Sequence, residues 1–260
     1  MRIAIITGAS SGLGSEYARQ IYAAEKDYLD EIWLIARREE KMIRLALDIK
    51  GKDKRKMFRV IPLDLKKEES MVKLEEMLKE HNPEIEWLIN AAGFGKIGKN
   101  SELTREDLDD MILLNVKASV DVTKICLPYM AEFSNILEIV SASAFVPLSS
   151  LSVYAATKAF MLSFSQSLNR ELSDTDVTAV CPYWIKDTEF IDRANSYENG
   201  EIKRYTLASD RKSVVSKSVY DALNGRSIST PGMVATAARL MSKIVPSRLM
   251  VEAWEIMRRF

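Results

Sequence analysis

The sequence predicts an α/β fold, a single domain in which a doubly wound parallel sheet carries helices on both faces. Two observations predict this class. Apolar runs of strand length alternate with helical stretches from the start of the chain to about Cys181, which is the order that builds a parallel sheet. The chain has 260 residues, a length at which α/β folds are commonly one domain, so residues 1–260 are expected to share one core.

Six strands are predicted before Pro182, with five helices between them. The strands span residues 3–7, 32–36, 58–62, 87–91, 136–141 and 177–181, and the helices span residues 13–24, 39–49, 70–79, 105–127 and 153–171. Residues 183–212 have weak periodicity and are interpreted as a substrate lid, with a long surface loop as the alternative. Residues 213–260 are predicted to form a C-terminal helical extension, with helices 214–223, 233–244 and 248–258 and a short strand around Ile228.

Composition argues against several partners and sites. Thirty-seven basic residues offset 37 acidic ones, which argues against nucleic acid and against an anionic membrane surface as partners. No apolar run approaches the roughly 20 residues that span a bilayer, and the first residues resemble a strand rather than a signal peptide. Cys126 and Cys181 lie far apart without a CxxC pattern, so reduced thiols and a cytoplasmic location are expected. His81 is the only histidine, so histidine triads and zinc sites are disfavoured and no metal site is predicted.

The first predicted strand leads directly into a glycine-rich turn and then a helix. The turn reads TGASSGLG from Thr7 to Gly14. Glycines let backbone N–H groups approach a pyrophosphate, and the positive end of the helix dipole favours the anion. We predict a Rossmann-type dinucleotide site here, with an ordinary tight turn of small residues as the alternative. The predicted cofactor contacts are Gly8, Ser10, Ser11, Gly12, Leu13 and Gly14.

Two arginines, Arg37 and Arg38, follow the second predicted strand. This position lies about 20 residues past the glycines, where a carboxylate normally binds the adenosine ribose. A guanidinium can instead pair with a 2′-phosphate, so the arginines favour NADP(H) over NAD(H). The alternative is that they begin a solvated charged helix, because Glu39, Glu40 and Lys41 follow.

A tyrosine and a lysine, Tyr154 and Lys158, are candidates for proton transfer. They lie four residues apart on a predicted helix, so both side chains share one face and the ammonium can favour the phenolate. A YxxxK pair alone is weak evidence, because Tyr22 and Lys26 form a second one that we interpret as a chance match on a helix surface.

A serine, Ser141, ends the fifth predicted strand, 13 residues before Tyr154. Open α/β sheets bind their ligands at the carboxyl ends of strands, so its hydroxyl is placed to polarise a substrate carbonyl. Other serines follow nearby, and a plain polar loop is the alternative.

Taken together, these motifs resemble the single-domain short-chain dehydrogenases/reductases, which pair TGxxxGxG with a later Ser and YxxxK. The resemblance covers about residues 1–190 in order. It also includes Asp64 in the segment PLDL, the segment NAAG from Asn90 to Gly93, Asn115 in the segment LNV, and Pro182 followed by Thr188.

The resemblance implies a catalytic tetrad of Asn115, Ser141, Tyr154 and Lys158. Tyr154 would exchange the proton, Ser141 would hold the substrate oxygen, and Lys158 would bind the nicotinamide ribose and lower the pKa of the tyrosine. Asn115 would help to organise a relay water. Further cofactor contacts implied by the resemblance are Asp64 near the adenine, Leu65, Asn90, Ala91, Gly93, Tyr154, Lys158, and Thr188 near the carboxamide.

The sequence departs from the family pattern at two positions. Ala91 stands where a second asparagine is usual, and Tyr183 stands where glycine commonly follows the proline. Tyr183 and Trp184 are therefore candidates for substrate contact, with structural packing as the alternative. The aromatic and apolar residues of the 183–212 segment favour a hydrophobic small-molecule carbonyl or secondary alcohol, of steroid or acyl-chain type.

The resemblance also implies a homodimer or homotetramer formed through the helices at 105–127 and 153–172. Met111, Leu114, Phe160 and Phe164 are candidates for that interface, although core packing explains them equally well. Two rival functions remain: a non-catalytic NADP-binding regulatory protein, and a sugar-nucleotide epimerase or dehydratase. The second has a different phosphate-loop spacing, TGxxGxxG, and a larger substrate domain.

Overall fold

A computed structural model describes residues 1–51, 57–194 and 207–257 of the chain. Seven parallel strands form one sheet in the order β3-β2-β1-β4-β5-β6-β9. The strands of the chain are β1 (Arg2–Thr7), β2 (Glu31–Ala36), β3 (Phe58–Pro62), β4 (Glu84–Asn90), β5 (Met130–Ile139), β6 (Thr175–Val180), β7 (Ile185–Lys186), β8 (Ser209–Asp210) and β9 (Ile228–Ser229). β7 and β8 form a separate parallel pair. The predicted α/β doubly wound fold is confirmed.

Helices connect the strands on both sides of the sheet. They are α1 (Gly12–Glu25), α2 (Glu39–Lys50), α3 (Glu68–His81), α4 (Arg105–Ile112), α5 (Ser119–Cys126), α6 (Ser152–Glu171), α7 (Phe190–Ala194), α8 (Arg211–Leu223), α9 (Met233–Met241) and α10 (Ser247–Met257). Side chains of α1, α2 and α8 pack on one face of the sheet, and those of α3, α5 and α6 pack on the other. No helix within the described residues is long and apolar enough to cross a bilayer.

The strand and helix predictions hold in order and type, and the largest differences in extent concern β5 and the predicted helix 105–127. β5 begins at Met130, six residues before the predicted start, because Ile85 of β4 pairs with Met130 across an irregularity in the ladder. The strand ends at Ile139, so Ser141 lies two residues beyond it. The predicted helix 105–127 consists of α4, a π-helical turn (Leu113–Ala118), α5 and a 3₁₀ turn that begins at Leu127.

The predicted lid is described only at its two ends. β7 and α7 lie at its start and β8 at its end, while residues 195–206, including Tyr197 and Tyr205, lie outside the described residues. His81 packs edge-on against Trp33, with ring centroids 5.6 Å apart. Cys126 and Cys181 are both buried and free. In the described ranges no group of three or more His, Cys, Asp or Glu side chains is arranged to hold a metal ion.

The turn between β1 and α1 is closed by contact between two glycines. A Cβ atom on Gly14 would lie 2.4 Å from the Gly8 carbonyl oxygen and 2.7 Å from the Gly8 carbonyl carbon. Both atoms belong to the backbone and cannot rotate away. Gly14 therefore has a packing role that sets how closely α1 approaches the strand.

We expect Gly14→Ala to lower the free energy of unfolding by about 1–3 kcal/mol, the usual effect of overpacking. A loss of stability would be informative, because alanine in a helix is otherwise about 1 kcal/mol more favourable than glycine and should raise the free energy of unfolding. Urea denaturation measures the change. The matched control is Ala24→Gly on the exposed side of the same helix, which should lose only the helix-propensity difference. A Gly14→Ala protein more stable than the parent would contradict this account.

A carboxyl group, that of Glu138 in β5, is buried between the sheet and α5. One oxygen accepts hydrogen bonds from Asn90 and Thr123, at 2.8 Å each, and the other accepts one from Ser119 at 3.0 Å. Glu138 is 1% exposed. Burial raises the pKa of Glu138 to about 7, and the three hydrogen bonds and the charge of Lys158 limit the rise.

We expect the buried Glu138 carboxyl to make the protein less stable as pH rises from about 5 to about 7. Its folded-state pKa lies above the ordinary value of 4.5, so the folded protein holds more protons than the unfolded chain in this window and loses stability as pH increases. Glu138→Gln should flatten this slope. Urea denaturation at pH 5 and pH 8 tests it, with Glu132→Gln on the exposed part of β5 as control. Identical slopes in the parent and Glu138→Gln would refute the assignment.

Candidate active site

A cleft of about 400 Å³ opens at the carboxyl ends of β1, β4, β5 and β6. The strand order changes direction between β1 and β4, and such switch points are where open α/β sheets bind ligands. Polar loop residues line one end of the cleft and apolar side chains line the other. The predicted site residues on its wall are Gly8, Ser10, Ser11, Gly12, Leu13, Arg37, Arg38, Asp64, Leu65, Ala91, Gly93, Ser141, Tyr154, Lys158, Tyr183, Trp184 and Thr188.

The glycine-rich turn has the geometry of an anion site. Gly8 and Gly12 have φ angles of +65° and +56°, in the left-handed region that favours glycine. Helix α1 begins at Gly12, after an extended Ser11 that makes no side-chain capping bond, so its first N–H groups face the cleft. Thr188 lies over Gly12, 3.9 Å from where a Cβ on Gly12 would be. These residues fit a dinucleotide pyrophosphate.

Of the two predicted arginines, Arg38 is the one tied to the turn. Its guanidinium donates to the Ser10 hydroxyl at 3.2 and 3.1 Å and to the Ser11 hydroxyl at 2.6 Å. It also donates to a Glu189 carboxylate oxygen at 2.7 Å. Arg37 lines the cleft but is exposed. Arg38 is therefore the better placed cation for an adenosine 2′-phosphate.

Two predicted cofactor contacts, Asn90 and Gly14, do not reach the wall of the cleft. Asn90 is 3% exposed and bonds to Thr123 and Glu138 within the core. The side chain of a residue at the end of a buried strand points to one face of the sheet, and here that face is covered by α5. The contacts of both residues give them a structural role, and their contact with a cofactor stays a prediction.

The side chain of Asn115 lies behind the cleft, in the π-helical turn. Its amide accepts from the Phe94 N–H at 3.0 Å and donates to the Phe94 carbonyl at 2.8 Å and to Thr157 at 3.2 Å. A Cβ on Gly93 would lie 2.9 Å from the Asn115 oxygen and 3.6 Å from the Lys158 nitrogen. Asn115 thus fixes the backbone of Gly93 and Phe94, which lies between it and Lys158. Thr157 was not predicted, and its place beside Lys158 on α6 was the only signal.

The helix α6 holds Tyr154 and Lys158 one turn apart in the buried part of the cleft. The Lys158 ammonium donates to the Ile139 carbonyl at 2.7 Å and lies 5.8 Å from the centre of the Tyr154 ring. Burial lowers the pKa of Lys158 to about 8, which leaves it charged at neutral pH. Ser141 begins a 3₁₀ turn, where its hydroxyl accepts from the Ser143 N–H at 3.1 Å.

The pKa of Tyr154 differs from the expectation of a lowered value. Burial raises it to about 12, and a side-chain hydrogen bond with Ser141 limits the rise. Tyr154 is therefore a neutral phenol at pH 7.

The far end of the cleft is apolar and aromatic. The Phe190 ring lies 5.7 Å from the Tyr154 ring and 6.3 Å from the Trp184 ring, and the Tyr183 and Trp184 rings are 6.4 Å apart. The predicted site residues did not include further apolar side chains of this wall, among them Phe94, Val146, Leu148, Leu151, Val234, Ala238, Met250 and Trp254. The amphipathic pattern of the C-terminal helices could have indicated the last four. Helices α9 and α10 therefore complete the cleft.

Comparisons with known proteins agree with this geometry. A family model described as short chain dehydrogenase matches residues 2–199. An uncharacterized oxidoreductase from Staphylococcus epidermidis is 28% identical over 211 residues, 80% of this chain and 87% of that protein. A short-chain dehydrogenase from Sphingobium yanoikuyae, solved in complex with NADPH, is 26% identical with a TM-score of 0.78, covering 97% of this chain and 96% of that one.

A second solved structure, of a short chain dehydrogenase/reductase from Burkholderia phymatum in complex with NAD, shares the fold. It is 17% identical with a TM-score of 0.78, covering 96% of this chain and 95% of that one. Neighbours of this fold thus bind either nicotinamide cofactor. The family match over residues 2–199 shows that this chain is an oxidoreductase of the short-chain dehydrogenase family.

Proposed function

We propose that this protein is an NADPH-dependent oxidoreductase that interconverts a hydrophobic carbonyl compound and its secondary alcohol. One observation carries the proposal: Tyr154, Ser141 and Lys158 line the same cleft as the glycine-rich loop. A serine of that loop, Ser11, accepts a hydrogen bond from Arg38. A non-catalytic NADP-binding protein would need the loop but not the buried tyrosine and ammonium. An epimerase or dehydratase is disfavoured by the spacing of the loop glycines.

The residues divide the chemistry between them. Bound nicotinamide supplies the hydride in the reducing direction and accepts it in the oxidising direction. Tyr154 donates its phenolic proton to the substrate oxygen, and Ser141 hydrogen-bonds the same oxygen as negative charge develops on it. Lys158 is a buried cation that stabilises the phenolate left on Tyr154. Asn115 acts as a positioning residue through its bonds to Phe94 and Thr157.

Cofactor binding is proposed to use the polar end of the cleft. The backbone from Gly8 to Leu13 would hold the pyrophosphate, Asp64 and Leu65 would contact the adenine, and Thr188 would contact the carboxamide. The preference for NADP(H) over NAD(H) is supported by Arg38, whose guanidinium faces the loop serines. Arg37 is a second cation at the same rim.

The substrate is proposed to occupy the apolar end, beneath Trp184 and Phe190. Support comes from the aromatic wall around Tyr154 and from the helices α9 and α10 that close it. The segment 183–212 is proposed as a lid on the same grounds, since its described ends carry Tyr183, Trp184 and Phe190. A cytoplasmic location is supported by two free, buried cysteines.

We also propose a homodimer formed through α4 and α6, although the residues proposed for its interface differ from those predicted. Met111 was a candidate for the interface and is fully buried among Leu151 and Tyr154, so that prediction was wrong. The interface is supported instead by apolar side chains exposed on this side of the protein, Ile112, Leu113 and Phe160.

We expect Arg38→Ala to weaken NADPH binding by about 10- to 100-fold, the range for losing hydrogen bonds between charged groups, while NADH binding changes little. Titrations that follow tryptophan fluorescence measure both affinities. Arg37→Ala is the matched control and should have the smaller effect. Equal losses of affinity for NADPH and for NADH would show that Arg38 does not bind the 2′-phosphate.

We expect Tyr154→Phe to reduce kcat on the order of 10²- to 10⁴-fold, as removal of a general acid does, while NADPH affinity is preserved. The assay is NADPH oxidation against a panel of hydrophobic ketones. Tyr22→Phe, in the second YxxxK pair, is the control and should retain full activity, because its ring stacks on Phe58 away from the cleft. Undiminished turnover in Tyr154→Phe would rule out its role as proton donor, and turnover of sugars in preference to every lipophilic ketone would rule out the hydrophobic substrate class.

A further inference from the structure

We propose that Glu189 occupies the position of the cofactor's 2′-phosphate in the cofactor-free protein, and that NADPH must displace it to bind. Glu189 then acts as a clasp that couples recognition of the 2′-phosphate to release of the segment beside Tyr154. The inference rests on the proposed use of NADPH, and it adds a residue that lies outside the motifs of the family resemblance.

The carboxylate of Glu189 is shared between two cations. One oxygen lies 2.7 Å from the Arg38 guanidinium and the other lies 2.6 Å from the Lys41 ammonium. The hydroxyls of Ser10 and Ser11 approach the same guanidinium. Two cations and two hydroxyls make an anion site, and in the cofactor-free protein a carboxylate of the chain itself fills it.

A phosphate monoester is a stronger occupant of this site than a carboxylate. It carries a charge of about −1.5 to −2 at pH 7 and offers three acceptor oxygens. The ion pairs of Glu189 are partly exposed, with 31% of the Arg38 side chain and 40% of the Glu189 side chain accessible, so they are weak. Exchange of carboxylate for phosphate is therefore favourable and reversible. The 2′-hydroxyl of NADH lacks the negative charge that favours displacement of the Glu189 carboxylate.

The neighbours of Glu189 connect this exchange to the rest of the cleft. Thr188 lies over Gly12 of the phosphate loop, and the Phe190 ring packs on Tyr154 and Trp184. Residues 188–190 thus run from the phosphate loop to the proton donor. When Glu189 is bound to Arg38, this strap lies across the loop that holds the pyrophosphate, and displacement of Glu189 frees it.

Two nucleotides isolate the effect, because adenosine 2′,5′-bisphosphate differs from adenosine 5′-monophosphate only in its 2′-phosphate. We expect Glu189→Gln to bind the bisphosphate about two- to tenfold more tightly than the parent, since one competitor for two cations is removed. Binding of the monophosphate should not change. Isothermal titration measures both. Glu39→Gln removes an equal charge from the start of α2. It controls for the general electrostatic effect of removing one negative charge near the site.

A second readout follows the strap itself. In the parent protein, the bisphosphate should increase hydrogen exchange at residues 187–194 and the monophosphate should not. In Glu189→Gln, exchange there should already be high without ligand. The proposal is wrong if Glu189→Gln binds the bisphosphate no more tightly than Glu39→Gln does. It is also wrong if Glu189→Gln raises the affinity for the bisphosphate and for the monophosphate by the same factor. The proposal is wrong, too, if Glu189→Gln weakens the binding of NADH, because the carboxylate would then accept a hydrogen bond from a ribose hydroxyl.

The proposed function fails in a different way. A parent protein that binds the bisphosphate no better than the monophosphate, and NADPH no better than NADH, has no 2′-phosphate site. A parent protein that prefers the 2′-phosphate but is unaffected by Glu189→Gln has the site without the clasp.

Discussion

The parallel register of four central strands is the constraint on which the cleft depends. Thr7 pairs with Asn90, and Asn90 pairs in turn with Glu138 on the next strand. The carboxyl ends of β1, β4, β5 and β6 therefore stop at nearly one level, and the residues that follow each strand meet at one edge. The phosphate loop, Gly93, Ser141 and Pro182 come from four distant parts of the chain and share a cleft for this reason.

Burial of charge beside that edge determines what the cleft can do. Lys158 donates a hydrogen bond to the Ile139 carbonyl and stays cationic at neutral pH, because the nearby Glu138 carboxyl opposes the lowering of its pKa by burial. The same low-dielectric surroundings keep Tyr154 protonated before a cofactor binds. A neutral phenol next to a buried cation is suited to give up a proton when a substrate oxygen becomes negative, since the cation then gains an anion to stabilise.

The sequence predicted most of the sheet and the placement of Tyr154 beside Lys158, because both depend on local pattern. Strand periodicity located β1 to β6, and a spacing of four residues on one helix placed Tyr154 beside Lys158. Side chains just beyond a strand were harder to predict. Arg37 and Arg38 are neighbours in sequence, and only the path of the chain after β2 decides which one faces the loop. Glu138, Glu189 and the burial of Met111 depend on partners far away in the chain, so no local pattern could indicate them.

The two ends of the cleft have different sequence origins, and this bears on specificity. The polar end is lined largely by residues 8–13, 36–38 and 63–65, all within the part of the chain that matches the family model. The apolar end is completed by Val234 and Ala238 of α9 and by Met250 and Trp254 of α10, all beyond the residues 2–199 that match the family model. Trp254 is fixed by its hydrogen bond to the Ser149 carbonyl, close in sequence to the helix that carries Tyr154. The part of the chain that the family model does not cover thus shapes the space next to Tyr154, so side chains there can change the apolar end of the cleft without altering Ser141, Tyr154 or Lys158.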